Sequence, residues 1–328
     1  MKILTFGDVK KENLIVSNEL IIPEGYTHIY AGTFQARTDI EKITFPSTLQ
    51  VIEKDAFAGC TSLKKLIFPK KLRVIGKNAF LNCTSLEEII FEEGSDLAVI
   101  RDSAFQGCIA LDNVNIPDTV TALGDYVFAC CRNLKNISLS SSLNEVGRDL
   151  LKATKFEKNV DNYQYNILCC DGVALKSKGE LHSLILKDIK VVSSGCFENQ
   201  IIEVLSCDTS DALTFCKNAF KNCDITLISV FSKVFLLSDD SIIDCTIGAI
   251  TLNDTLKDIF ARDNAIRNSN IKSINCFAAL ESVDIGLLCD DIKIDSLYIN
   301  NIYEKDTFYT VPEARVAIDI LTDSVVPF

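Results

Sequence analysis

Apolar residues recur along the first half of the chain at a nearly constant interval, and a phenylalanine or leucine marks each repeat. The marker positions are Phe34, Phe57, Phe80, Phe105, Phe128 and Leu151. Successive markers are twenty-three positions apart, except for a step of twenty-five between Phe80 and Phe105. In four repeats a cysteine follows the marker by three positions, and a leucine follows the cysteine by three more. Units of this length bury their apolar faces only by stacking on one another, so the period predicts stacked coils.

A short strand is predicted after each of these leucines. Residues 63–69 read L-K-K-L-I-F-P, with alternating polar and apolar positions at its centre. Alternation with a period of two is typical of a strand with one buried face. It predicts that Leu66 and Phe68 face the core and that Lys65 and Ile67 face outward.

The Asp-Ala-Phe-x-Gly-Cys stretch is predicted to form a short helical turn on the side opposite these strands. Asp55 and Asn78 precede two such turns and are of the residue types that accept free amide hydrogens at a helix start. We therefore expect both residues to act as caps.

The pattern continues after Leu151 in a degraded form. Phe197 and Phe220 are again twenty-three positions apart. Strand-like triplets begin at Ile201, Ile225, Ile247, Ile271 and Ile294. The turn pairs Asp171-Gly172 and Lys178-Gly179 indicate an inserted β-hairpin between the two blocks. We predict a solenoid over residues 1–302, with well-formed repeats at 20–154, the hairpin at 157–180, degenerate repeats at 181–302 and a C-terminal cap at 303–328.

Two copies carry a recognisable motif, LKKLIFPKKLRVIGKNAFLNC from Leu63 and ITFPSTLQVIEKDAFAGC from Ile43. They resemble the leucine-rich repeat family, in its BspA-like subclass. The resemblance implies an α/β-type repeat solenoid that is mostly β, a curved right-handed coil. Parallel strands would form its concave sheet, and short helical turns would lie on its convex side. It also implies a role in binding proteins, since members of the subclass are often surface adhesins.

Charge and hydropathy exclude several classes of function. The chain has 33 Lys and Arg against 45 Asp and Glu, a net charge of -12, which is the wrong sign for a nucleic-acid partner. Its most apolar segment, residues 225–237, is interrupted by Lys233 and is too short to cross a bilayer, so we expect no membrane insertion. The N-terminal residues contain no signal-peptide core, so we expect a cytoplasmic protein from the chain as written, or a surface or secreted protein if its N-terminus was trimmed.

The 14 cysteines are expected to be free thiols rather than a disulfide framework. The repeat cysteines are Cys60, Cys83, Cys108, Cys131, Cys223 and Cys245. In stacked coils they would form a single file instead of a tetrahedral cluster, and we expect no metal and no cofactor. A thiol-dependent hydrolase at the insertion stays an alternative, with Cys169 or Cys170 as the nucleophile and His182 as the base. The sequence shows neither an oxyanion hole nor an acid to orient the histidine.

The outward positions of the strands are the candidate binding surface. In the well-formed repeats they are Lys42, Thr44, Lys65, Ile67, Glu88, Ile90, Asn113, Asn115, Asn136 and Ser138, and in the first degenerate triplet they are Glu203 and Leu205. We predict a non-catalytic scaffold, a monomer or weak homo-oligomer, that binds a protein, or alternatively a glycan, through this concave face. The alternative is an adhesin for host or matrix protein. The basic run from Lys64 to Lys77 precedes acidic residues one coil later, which predicts neutralisation between coils or, alternatively, a docking patch.

Overall fold

The computed structural model describes residues 2–12, 14–262, 264–277, 282–285 and 293–299. The chain divides into two compact units, Met1–Asn162 and Tyr163–Phe328, which we call the first and second units. Each is a stack of coils built mostly from parallel strands, as the repeat predicts. The predicted cap at 303–328 lies outside the described residues.

Three sheets run along the first unit, two at the front and one at the back. The strands that we call the front strands form a five-stranded and a two-stranded sheet: Ile15–Val16, Glu19–Ile21, Lys42–Thr44, Lys65–Phe68 and Glu88–Phe91, then Asn113–Asn115 and Asn136–Ser138. The back strands form one sheet: Ile3–Leu4, His28–Ile29, Val51–Ile52, Val74–Ile75, Val99–Ile100, Ala122–Leu123 and Glu145–Val146. Helices are short, at Phe6–Glu12 and Lys155–Lys158, with a 3-10 turn at Val160–Asn162.

The phenylalanine markers form the core of the first unit. Phe34, Phe57, Phe80, Phe105 and Phe128 are each 0% exposed. Neighbouring rings stack within 6° of parallel, with centroid separations of 5.0, 5.2, 5.4 and 5.6 Å along the file. The predicted alignment of these residues is confirmed.

The turns that contain the markers are hydrogen bonded in two directions. The Ala58 N–H donates to the Asp55 carbonyl at 3.2 Å within the turn, whereas the Phe57 N–H donates to the Ala79 carbonyl of the next coil at 2.8 Å. Because alternate amides bond to the neighbouring coil, the predicted helical turns occur as successive tight turns instead of a regular helix. The expected caps are wrong at both residues: the backbone φ is +56° at Asp55 and +55° at Asn78, which is not the extended geometry of a cap, and the Asp55 carboxylate accepts from the Asn78 side chain at 2.9 Å.

Glycine is required at a close approach of two neighbouring coils. A Cβ at Gly124 would lie 2.4 Å from the Asp102 nitrogen, a distance that the backbone cannot accommodate without shifting. This position directly precedes the turn of its repeat. The glycine at this position therefore allows the two coils to pack closely.

The second unit repeats this arrangement with longer strands. Its front strands are Ser183–Lys187, Ile201–Asp208, Asp224–Phe231, Thr246–Leu252, Asn270–Cys276 and Lys293–Ile299. Its back sheet contains Tyr163–Gln164, Ile167–Cys170, Val173–Ser177, Val191–Val192, Ala212–Phe215, Val234–Leu237, Asp258–Ala261 and Ser282–Ile285. A third sheet contains Phe197–Glu198, Phe220–Lys221, Ile242–Ile243 and Ile266–Arg267.

An antiparallel hairpin begins the back sheet of the second unit. Ile167–Cys170 pairs antiparallel with Val173–Ser177, and Asp171 and Gly172 form the turn with φ values of +44° and +79°. Positive φ at both turn residues is typical of a tight two-residue hairpin loop. Val173–Ser177 then pairs in parallel with Val191–Val192, so the hairpin is joined to the coil that follows it.

The predicted register is wrong at the second front strand of the second unit. Ile201 is 75% exposed, whereas Ile202 and Leu205 are buried. Ile202 pairs with Ile225, so the buried series begins one residue later than predicted. Two adjacent isoleucines make either register compatible with the sequence pattern, and a one-residue shift reverses both faces of a strand. Val204 and Ser206, instead of Glu203 and Leu205, occupy the outward positions that pair with Leu227 and Ser229.

Candidate functional site

The front strands of the first unit carry all nine residues of the predicted binding surface. They are Lys42, Lys65, Ile67, Glu88, Ile90, Asn113, Asn115, Asn136 and Ser138, and each is exposed or partly exposed. The intervening residues of these strands, such as Leu66 and Val114, face the core. Strand alternation in these repeats is therefore confirmed.

One column of front side chains is charged and internally paired. Lys42 Nζ lies 2.9 Å from a Glu19 carboxylate oxygen, and Lys65 Nζ lies 2.7 Å from Glu88. The hydrogen bond from Lys42 lowers the pKa of Glu19. The expected neutralisation between coils is thus confirmed at Lys65 and Glu88. Exposed pairs of this kind contribute at most about 1 kcal/mol each, so their removal leaves the fold intact.

A second column, beside the charged one, is largely apolar. Ile21 pairs in register with Thr44, and Ile67 pairs with Ile90 in the following coils. Ile21 is 48% exposed and Ile67 is 45% exposed. A rigid sheet with apolar side chains next to charged ones is suited to protein recognition. Apolar contacts contribute affinity, and charges orient the partner.

The ladder of front strands is interrupted within this surface. Among the described residues, Glu88–Phe91 pairs only with Lys65–Phe68, and Asn113–Asn115 pairs only with Asn136–Ser138. A cleft of about 700 Å³ opens between the two separated strands. The residues that line it are Glu87–Ser95 and Asp112–Pro117. The sequence prediction treated the front sheet as continuous and missed this cleft.

An insertion of two positions explains the interruption. Leu72 follows Phe68 by four positions, whereas the equivalent Leu97 follows Phe91 by six. The longer loop contains Gly94 at φ +70°. The spacing of twenty-five positions between Phe80 and Phe105 is therefore the sequence signal of the cleft, because all other neighbouring markers from Phe34 to Leu151 are twenty-three positions apart.

The repeat cysteines hold neighbouring coils together. The Cys60, Cys83, Cys108 and Cys131 thiols donate to the carbonyls of Phe34, Phe57, Phe80 and Phe105, at 3.2, 3.3, 3.4 and 3.1 Å. Burial raises the pKa of Cys60 to about 12 and raises that of Cys83 further. Protonated, buried thiols are structural hydrogen-bond donors. Across the described residues, no three His, Cys, Asp or Glu side chains converge so that they could hold a metal ion.

The geometry at the hairpin does not favour a nucleophilic thiol. Burial raises the pKa of Cys169 to about 11, and burial together with the adjacent Asp171 carboxylate also raises the pKa of Cys170. A nucleophilic cysteine requires the opposite shift, toward the thiolate at neutral pH. His182 is exposed. These observations favour a scaffold over a thiol-dependent hydrolase.

Comparison with known proteins agrees with the repeat architecture. A family model described as BspA type leucine rich repeat region matches residues 12–98, 98–224 and 213–312, in six copies. No curated protein matches the chain. No helix in the described part of the chain has the length and hydropathy needed to span a membrane.

Solved structures of bacterial leucine-rich repeat proteins are similar to the chain. The leucine-rich repeat protein of T. pallidum is 26% identical over 42% of this chain and 65% of its own, with a TM-score of 0.40. A leucine-rich repeat protein of Bacteroides ovatus is 17% identical over 87% of this chain and 76% of its own, with a TM-score of 0.38. The pneumococcal vaccine antigen PcpA is 17% identical over 88% of this chain and 80% of its own, with a TM-score of 0.42. This chain thus spans just under two thirds of the T. pallidum protein.

Proposed function

Because the chain belongs to the BspA-type leucine-rich repeat family, we propose that it is a non-catalytic scaffold that binds a partner protein through the front strands of the first unit. The observation that supports this proposal is the exposed apolar column beside the charged one. Ile21 and Ile67 are each nearly half exposed on strands whose backbone is fixed by pairing to neighbouring coils. A rigid surface loses little conformational freedom on binding, so its apolar contacts are available for affinity.

The charged column supports recognition of a protein rather than a purely apolar ligand. The ion pairs Lys42–Glu19 and Lys65–Glu88 alternate in orientation along the stack. Exposed charges at the edge of an interface orient a partner and discriminate between partners more than they add affinity. The arrangement thus fits a partner surface with an apolar centre and charges of both signs around it.

A pair of serine substitutions tests the proposal. In Ile21→Ser/Ile67→Ser the apolar column is removed at two exposed positions. We expect recovery of bound partners to fall about tenfold or more, since burying one such side chain is worth roughly 1.5–3 kcal/mol. The measurement is quantitative mass spectrometry of proteins captured from an extract of the producing cells on immobilised wild type and variant.

The matched control is Ile109→Ser/Val160→Ser. These two side chains are 41% and 75% exposed and lie outside the front strands. The control should retain the partners that the wild type captures, with all three proteins unfolding at closely similar temperatures. Equal recovery on the front variant and the wild type would show that the partner binds elsewhere.

A further inference from the structure

We propose that the front strands of the second unit carry a separate docking site for an uncharged, proline-rich segment of a partner protein in the polyproline II conformation. The site is formed by Phe231, Asn253 and Phe277, at the ends of three consecutive front strands, which we call the aromatic column. This inference goes beyond the proposed function, because it concerns the second unit and does not depend on binding at the first.

The aromatic column continues the hydrogen bonding of the front strands. The Asn253 N–H donates to the Val230 carbonyl at 3.1 Å, and the Phe277 N–H donates to the Leu252 carbonyl at 2.9 Å. These bonds hold the three residues of the column on neighbouring strands. Because neighbouring strands lie about 4.8 Å apart, the Cα atoms of Phe231 and Phe277 are separated by about 9.6 Å.

Both phenylalanine rings of the column are open to solvent. Phe231 is 39% exposed and Phe277 is 42% exposed, whereas Val230 and Cys276, which directly precede them, are buried. Successive side chains of a strand point to opposite faces, so both rings lie on the outer face of the sheet. A ligand that covers the two rings therefore removes apolar aromatic surface from water.

The residue between the two rings leaves space for a ligand. Asn253 has a short side chain, and its amide nitrogen donates to the Val230 carbonyl at 3.1 Å. This hydrogen bond holds the side chain toward the preceding strand. The space between the rings is therefore two strand spacings wide and lies over a short polar side chain, which suits a proline ring.

The distance between the rings selects the conformation of the ligand. Polyproline II has three residues per turn and a rise of about 3.1 Å per residue, so every third residue returns to the same face after about 9.3 Å. A β-strand returns to the same face after about 6.6 Å, and an α-helix has a pitch of about 5.4 Å. Prolines three positions apart would thus contact Phe231 and Phe277 in turn. Aromatic surfaces recognise this helix readily because it is ordered before binding.

A second column on the same face supplies hydrogen-bond donors. Ser229 pairs in register with Thr251, and Thr251 pairs with Asn275. Each of the three precedes a member of the aromatic column by two positions, so its side chain lies on the same face. A polyproline II segment makes no internal hydrogen bonds and leaves its carbonyls exposed. Hydroxyl and amide groups can donate to these carbonyls.

The charge of this surface favours an uncharged ligand. Neither column has a charged residue on the three strands that carry the rings. The charged members in register with Phe231 are Lys187 and Asp208, on the two preceding strands. A charged ligand would lose hydration at the rings without gaining an opposite charge there. In a chain with a net charge of -12, the neutral surface is thus matched to a neutral segment.

Peptide binding to the full chain provides the test. The probe is a fluorescent ten-residue peptide with blocked ends, in which proline occupies every third position and alanine the others. We expect a rise in fluorescence anisotropy on binding, with an affinity that changes less than about twofold between low and high salt, because no ion pair is involved. A peptide of the same composition, with two prolines at each end, should bind about fivefold more weakly or less. Equal binding of the two peptides would refute recognition of the proline spacing.

Leucine substitutions locate the contact at the rings. Phe231→Leu/Phe277→Leu removes both aromatic faces but keeps apolar side chains, and we expect it to weaken binding of the proline peptide about fivefold or more. The matched control is Phe6→Leu/Phe260→Leu, at two exposed phenylalanines outside the column. An unchanged affinity in the column variant, or an equal loss in the control, would overturn the assignment.

Substitution of Asn253 tests the space between the rings while both phenylalanines are kept. Asn253→Lys places a long side chain between the rings, and we expect no measurable binding of the proline peptide. Asn253→Ser keeps the space open and should bind within about threefold of the wild type, since only an exposed polar contact changes. Tight binding by Asn253→Lys would show that the peptide does not occupy this space.

A neutral glycan is the competing ligand for an uncharged surface with exposed rings. Cellohexaose, a linear neutral glycan, serves as the competitor in the peptide assay, and we expect it to leave the bound peptide in place. Displacement of the peptide by cellohexaose would assign the surface to glycans and contradict the proposal. This outcome is separate from failure of the proposed function, because Ile21→Ser/Ile67→Ser reports on the first unit alone.

Discussion

Replacing Phe80 by alanine should lower the free energy of unfolding of the first unit by about 3–5 kcal/mol. Phe80 is 0% exposed and lies in the middle of the file, with Phe57 on one side at 5.2 Å and Phe105 on the other at 5.4 Å. Its ring also meets Phe68 edge to face at 5.6 Å. Truncation removes contacts to three rings and leaves a cavity that coils held by backbone ladders on both sides cannot close.

The effect of Phe80→Ala is measured by chemical denaturation, with Phe6→Ala as the matched control. Phe6 is 52% exposed, so the same truncation there should cost less than about 1 kcal/mol. Phe80→Leu should fall between the two, because leucine fills part of the site. A Phe80→Ala protein with the midpoint and slope of the wild type would show that this ring is not in a packed core.

The protein should lose stability steeply above about pH 9 because its coils bury protonated thiols. Burial raises the pKa of Cys60 from 9.0 to about 12, and burial is also the main cause that raises the pKa of Cys83 and Cys108. The folded state therefore retains protons that the unfolded state releases. The stabilisation is fully present below pH 9 and is lost as the pH rises toward the folded pKa, at about 1.4 kcal/mol per pH unit for each thiol.

The contribution of one thiol is isolated with Cys60→Ser. Serine keeps a donor for the Phe34 carbonyl and does not titrate in this range. Between pH 9 and 10.5 the wild type should lose about 2 kcal/mol more than the variant, measured by urea denaturation at each pH under reducing conditions. Because both proteins share the same lysines and tyrosines, the difference reports the thiol. A constant difference between the unfolding free energies of the wild type and the variant across this pH range would contradict a buried, protonated Cys60.

The sequence is sufficient to predict the coil and the faces of most strands. The recurring phenylalanine and the alternation around Leu66 specify which side chains are buried, because a solenoid repeats one environment in every coil. The hydrogen bonding of the marker turns was not predictable in this way. The Phe57 N–H can donate either within its turn or to the Ala79 carbonyl, and the choice depends on the distance between coils. A local sequence pattern does not determine that distance.

Register and continuity were the other two features that the pattern left undetermined. Ile201 and Ile202 offer equal hydrophobicity to either register, and only pairing with Ile225 decides between them. The exposure of Ile67 and Glu88 followed from alternation, but the cleft beside them depends on how a longer loop displaces one strand from the next. The longer step between Phe80 and Phe105 marks where the repeat changes, but it does not show that the front ladder opens there.

Coupling between phenylalanines tests most directly whether the repeats stack coil upon coil. In a double-mutant cycle built from leucine substitutions, Phe57 and Phe80, whose rings are stacked, should show a coupling energy of about 0.5–1.5 kcal/mol. Phe34 and Phe105, three coils apart, should show coupling within about 0.5 kcal/mol of zero. Independent effects at Phe57 and Phe80, or equal coupling in both pairs, would contradict a file of stacked coils.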